Sequence, residues 1–116
     1  MSILSNPYQV LTLLNLKENE MGRWCTYIVE CSDLKKTLYT GTTNNIRRRL
    51  DQHNTGKGAK YTKGRAPIVL MAMFYRKNRS EACILECKIK RMCRRTKFKV
   101  ISEYRILKEY FGEELE

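Results

Sequence analysis

Residues 24–41 read WCTYIVECSDLKKTLYTG, and this stretch decides the fold. Trp24–Cys31 is β-branched and aromatic without Gly or Pro, which predicts a strand. Cys25, Tyr27, Val29 and Cys31 then share one of its faces. Ser32–Lys36 supplies a turn and Thr37–Gly41 a second strand, so the two pair as an antiparallel hairpin. Tyr27 and Tyr39 fall near each other, directly across the pair or one step off register.

The chain after the hairpin completes the architecture. Thr43 or Asn44 is expected to cap a helix reaching about Asn54, with Ile46, Leu50 and His53 on one face and Arg49 beside them. Arg47, Arg48 and Asp51 point away. Thr55–Pro67 is a loop of Gly and Lys with one Tyr. Ile68–Tyr75 is a continuous apolar run of strand length, expected to be a central strand covered on both faces. Ser80 is predicted to open a second helix, with Ala82, Leu85, Ile89 and Met92 or Cys93 as its core stripe and Glu86 beside it. Thr96 is expected to cap a third helix whose apolar positions are Ile101, Tyr104, Ile106, Leu107, Tyr110 and Phe111, stopped by Gly112 before an acidic tail. The predicted class is α/β, a small three-stranded mixed β-sheet flanked by helices. Residues 1–20 form an N-terminal appendage with Val10, Leu13 and Leu14 on one helical face. Residues 21–98 form the domain, and 99–116 a C-terminal helix and tail packed on it.

With 116 residues, 42% hydrophobic and 30% charged, the chain is sized for one ordinary globular domain. Its charge is uneven. Residues 21–101 carry 20 Lys and Arg against five acids, while the two ends are net acidic. A basic middle of that size suits a polyanionic ligand, since neutralised phosphates release condensed counterions. No helix pairs a basic face with a Trp/Phe/Leu face, which argues against a membrane surface, and no apolar run is long enough to span one. The N-terminus lacks the basic residues of a secretion signal. Five cysteines without CxxC spacing suit free thiols in a reducing, cytoplasmic compartment, with the nucleus as the alternative. Cys83 and Cys87 are one turn apart, but no second pair completes a zinc site.

Cys25-Thr26-Tyr27, Leu38-Tyr39-Thr40-Gly41, Arg48-Arg49-Leu50 with His53-Asn54, and Glu86 before Lys88-Ile89-Lys90 together resemble the GIY-YIG endonuclease superfamily. The likeness is strongest to its small single-domain members, which carry a similar Gly-Lys-Gly-Ala-Lys-Tyr-Thr loop. The resemblance implies a three-stranded sheet flanked by helices and endonuclease activity that depends on one Mg²⁺ or Mn²⁺. By position, Tyr27 and Tyr39 match the tyrosines of the two named motifs, Arg49 the catalytic arginine and Glu86 the metal-binding carboxylate. His53 matches a position held by an active-site His or Tyr. Cys25 and Thr26 replace Gly and Ile of the first motif, and Thr40 the Ile of the second. Thr42 stands where some members have lysine, which leaves the proton acceptor open.

Each residue also has a plainer reading. Glu86 is either a metal ligand or the partner of a nearby Arg, because a carboxylate on a core stripe needs compensation. Arg49 either binds the scissile phosphate through its fork of donors or bridges to Glu86 or Asp51. Tyr27 and Tyr39 either orient the attacking water, one as general base, or simply pack. His53 is a proton relay, a phosphate donor or a structural histidine. Lys57, Lys60, Tyr61, Lys63 and Arg65 form a candidate strand-tracking groove, extended by Arg47, Arg48, Lys88, Lys90 and Arg91. The expected function is a metal-dependent DNA endonuclease, selective for a structure or a single strand. The alternatives are a non-catalytic nucleic-acid-binding module with the same fold, or an adaptor or homodimer drawing specificity from a protein partner.

Overall fold

A computed structural model describes residues 23–57 and 64–111 of the chain. The predicted N-terminal helix, the loop residues Lys60, Tyr61 and Lys63, and the acidic tail lie outside the described residues. Among the described residues three strands, β1 (Cys25–Glu30), β2 (Leu38–Thr43) and β3 (Val69–Tyr75), accompany three helices, α1 (Ile46–Asn54), α2 (Arg79–Lys90) and α3 (Arg94–Phe111). The sheet order is β2-β1-β3. Both pairings are antiparallel, so the sheet is not mixed as expected. β2 and β3 do run the same way, but β1 lies between them.

The central strand is therefore β1 and not β3. Its CTYIVE sequence pairs with a strand on each side, and Cys25 through Val29 are almost fully buried. The apolar run of β3 has a different cause: it is an edge strand whose faces are both covered. Leu70 and Ala72 are inaccessible, and Phe74 meets Tyr104 of α3 edge-on at 5.1 Å. The register slips between Ile28 and Val29, leaving Met71 without a partner across the ladder. Its carbonyl accepts instead from Arg105 Nε of α3 at 3.1 Å, so the helix guards a bulged edge. Burial lowers the Arg105 pKa.

In the hairpin, Asp33 accepts from the Thr37 amide at 2.8 Å and from its hydroxyl, while Lys36 takes a left-handed φ of 52°. The helix caps differ from the expected ones by one to three residues. Asn45, not Thr43 or Asn44, caps α1 by accepting from Arg48 N; Thr43 Oγ1 accepts from Asn45 N one step earlier. Asn78, not Ser80, caps α2 by accepting from Glu81 N. α3 starts at Arg94, which leaves Thr96 inside the first turn, its hydroxyl 3.3 Å from Cys93 Sγ. Ser and Thr competed with better-placed Asn side chains, which sequence spacing alone does not rank.

Helices hold the sheet through specific polar ties. Asn54 at the end of α1 donates to the Ile68 carbonyl at 3.3 Å and accepts from its amide at 2.7 Å, fixing the entry to β3. Thr26 Oγ1 donates to the Ala82 carbonyl at 2.7 Å, seating α2 on the sheet. Ala82 and Ile89 are buried as expected, Leu85 and Met92 partly so, and Cys93 is exposed. Ile101 and Tyr104 of α3 are buried, whereas Ile106 and Leu107 are exposed.

Tyr27 pairs with Gly41 and Val29 with Tyr39, so the two tyrosines share a face one step off register. A β-carbon on Gly41 would come within 2.6 Å of Tyr27 Cζ. We expect Gly41→Ala to cost about 1–3 kcal/mol in urea denaturation, the usual range for overpacking. That penalty should vanish in a Tyr27→Ala background; an equal penalty there would show that the ring is not its cause.

Candidate active site

Two faces of the sheet contribute to one site because β2 is an edge strand. Tyr27, Tyr39 and Gly41 lie on the face covered by α1. Thr26 and Thr42 lie on the other, under α2. Their helices carry Arg49 and Glu86 toward the exposed edge of β2. An open groove of about 460 Å³ there is lined by both, with Thr42, Arg48, Trp24 and Arg79 among its other walls.

Below the groove the α1 face is tightly bonded. The Tyr27 hydroxyl lies 2.9 Å from His53 Nε2 and accepts from Arg49 Nε at 3.3 Å. Both Tyr27 and His53 are 1% exposed. Burial pushes the Tyr27 phenol well above the ordinary tyrosine range, against the hydrogen bond and charge of Arg49. Burial, then the Arg49 charge, pushes His53 down to about 4, so at neutral pH its imidazole is uncharged. The phenol and the neutral ring share one hydrogen bond at Nε2. Tyr39 packs edge-on against the same ring at 5.4 Å and is partly exposed.

Arg49 is partly buried, and Nη1 donates to Gln52 Oε1 at 3.0 Å. Burial disfavours its charge, but contacts with Tyr27 and Tyr39 outweigh that and raise its pKa. Neither ion pair open to it in the sequence forms. Glu86 accepts from Thr42 Oγ1 at 2.8 Å through Oε1 and from Lys90 Nζ at 3.0 Å through Oε2. Its partner is thus Lys90, whose pKa the hydrogen bond to Glu86 raises. The carboxylate is compensated but reachable, its side chain 22% exposed.

Among the described residues no three His, Cys, Asp or Glu side chains cluster. A zinc cage of protein ligands would need such a cluster. One reachable carboxylate beside a hydroxyl fits Mg²⁺ or Mn²⁺, hard cations that take oxygen donors and keep much of their water. Cys83 also lines the groove, and Cys87 is exposed.

The candidate strand-contacting residues are dispersed. Arg48 lines the groove, and Lys90 is engaged by Glu86 with its Nζ 6.0 Å from the Tyr39 ring centroid. Arg47, Lys57, Lys88 and Arg91 are exposed. Arg65 is partly buried, its carbonyl accepting from Ser32 N at 2.9 Å. Gly41, Thr42, Gln52, Trp24 and Arg79 carry parts of the site that the sequence reading did not assign. Only Gly41, a glycine inside a strand, carries a signal of its own, that of a close approach.

Known proteins are similar to this chain over most of its length. The chain is 42% identical over 89 residues to UPF0213 protein CPE1444 of Clostridium perfringens, covering 77% of this chain and 94% of that one. It is 46% identical over 83 residues to UPF0213 protein SH2523 of Staphylococcus haemolyticus, covering 72% and 99%. The solution structure of UPF0213 protein BH0048 from Bacillus halodurans matches at 39% identity and a TM-score of 0.44, over 69% of this chain and 83% of that one. The model of the GIY-YIG catalytic domain matches residues 23–99. That match runs from the residue before Trp24 into α3 and takes in Tyr27, Arg49 and Glu86, so the chain belongs to the GIY-YIG catalytic-domain family, a nuclease family.

Proposed function

We propose that this chain is a metal-dependent endonuclease that hydrolyses phosphodiester bonds in DNA, acting at a defined structure or on a single-stranded segment. The observation that carries the reading is the meeting of Arg49 and Glu86 in one open groove, brought there from opposite faces of the sheet. Three arginines, Arg48, Arg49 and Arg79, against the one carboxylate of Glu86 in the groove walls support a polyanionic substrate. A domain this small has little surface left for reading a long base sequence, which favours recognition of shape.

Phosphodiester hydrolysis needs an oriented water, neutralisation of charge on the phosphoryl oxygens and help for the departing 3′ oxygen. Arg49 binds the scissile phosphate. Tyr27 and Gln52 hold two of its N–H groups, which fixes the plane of the guanidinium and presents its remaining donors as a fork. Tyr27 remains protonated and acts as a positioning residue, hydrogen-bonded to His53. Tyr39 is the partly exposed phenol, and we assign it the attacking water, which it orients; as its hydroxyl proton passes to bulk solvent, its oxygen takes the proton that the water loses. Thr42 aims Glu86, the metal ligand, and Lys90 balances its charge. When bound at Glu86, Mg²⁺ or Mn²⁺ supplies the charge neutralisation at the phosphate and the departing oxygen.

Glu86→Ala and Tyr39→Phe should each lower Mg²⁺- or Mn²⁺-dependent nicking by about a hundredfold or more while oligonucleotide binding persists. EDTA should silence the wild type. Nicking that survives both substitutions would contradict the assignment. His53 gives a pH signature. Its pKa is about 4 when folded and ~6.5 when unfolded. Between those values the unfolded chain binds a proton that the folded one does not, so stability rises with pH across the window and is lost as pH falls through it. Urea midpoints should therefore drop more from about pH 7 to about pH 4.5 for the wild type than for His53→Gln. Equal drops would mean that His53 is not held neutral by the fold.

A further inference from the structure

The groove contains an aromatic side chain that the hydrolytic chemistry does not use. Trp24 is the chain's sole tryptophan, partly exposed, and it lines the same groove as Arg49 and Glu86. Its backbone is fixed, because Arg76 N donates to the Trp24 carbonyl at 2.9 Å and carries the β1–β3 pairing one residue past the strand end. Arg79, the first residue of α2, places its guanidinium carbon over one face of the indole, 5.5 Å from the ring centroid, so a stacked base would take the other face or displace the guanidinium toward its own phosphate. Arg79 and Arg48 both line the groove beside it. An indole on a fixed stretch of backbone thus shares the walls of the candidate reaction centre with two forked cations, one of them over its ring.

A nucleotide has two recognisable halves, and this arrangement offers a partner for each. The phosphate suits a guanidinium fork, and the flat face of a base suits an indole. A base inside a duplex is already stacked on both sides and cannot lie on Trp24. An unpaired base can.

We propose that Trp24 and Arg79 form a base-stacking subsite for an unpaired nucleotide next to the scissile phosphate, with the base on the indole and the neighbouring phosphate on Arg79 or Arg48. The proposal deepens the endonuclease reading and rests on it for the position of the scissile bond. It explains why the groove extends past the reacting groups to Trp24. It also gives selectivity for unpaired strands without base-specific contacts, since every base has a π-face.

Because Trp24 is the sole tryptophan, its fluorescence reports the subsite directly. The test titrates wild-type protein in EDTA with a single-stranded DNA oligonucleotide of about ten nucleotides, the length scale of a small single-strand site. Binding is followed independently by anisotropy of a 5′ label. The expected result is quenching that saturates together with the anisotropy. An oligonucleotide of abasic residues and a blunt duplex should bind without comparable quenching. Trp24→Leu, shown folded by circular dichroism, should bind single strands about tenfold or more weakly, and Trp24→Phe should recover most of that loss. Binding without a change in fluorescence, equal affinity of Trp24→Leu, or no binding at all would overturn the proposal. Quenching without Mn²⁺-dependent nicking would retain the subsite and reject the endonuclease. Nicking without quenching would do the reverse.

Discussion

The Tyr27 phenol lies across Gly41 of the neighbouring strand, where no side chain of another residue would leave it room. From that position its hydroxyl bridges Arg49 and His53 on α1. One oxygen thus links the central strand to the helix that carries the guanidinium. The bonds are sheltered: the cation donates to the phenol oxygen, and the neutral imidazole shares the second hydrogen bond with it. An arginine held in this way loses little freedom on meeting a phosphate, which is the sense in which a site is preorganised.

The second constraint is topological. The α2 helix lies on the face of the sheet opposite to Tyr27, tied to Thr26 through the Ala82 carbonyl and to Thr42 through Glu86. A carboxylate there would be remote from the phenols in a wide sheet. Because β2 is the edge strand, Glu86 and Arg49 need only reach around one strand to line a common groove. On β3, the other edge strand, α3 takes the bulged Met71 carbonyl through Arg105 and covers the face at Phe74.

The sequence made the elements legible where composition and period agreed: the WCTYIVEC strand, the Ile46/Leu50/His53 face and the Ala82/Ile89 stripe. It misplaced β3 because a doubly covered edge strand and a central strand share the same apolar run. It could not show that β1 separates two like-directed strands, since strand order is a property of pairing and not of pattern. Within the candidate site, Tyr27, Arg49, His53 and Glu86 were recognisable by type and order. Of the partners, Lys90 was open to reading, since Glu86 and Lys90 are an i,i+4 pair within one helix, although an arginine was expected in its place. The bond from Thr42 was not, because it depends on how α2 seats on the sheet.

The central claim is that groups from two faces of the sheet act as a single site for one hydrated cation and one phosphate at the open edge of β2. Electron paramagnetic resonance of Mn²⁺ titrated into the protein with a non-cleavable phosphodiester oligonucleotide tests this most directly. The account predicts one bound Mn²⁺ per chain, abolished by Glu86→Gln and weakened, through loss of the phosphate, by Arg49→Ala. Undiminished Mn²⁺ binding in Glu86→Gln, or binding indifferent to the oligonucleotide, would contradict it.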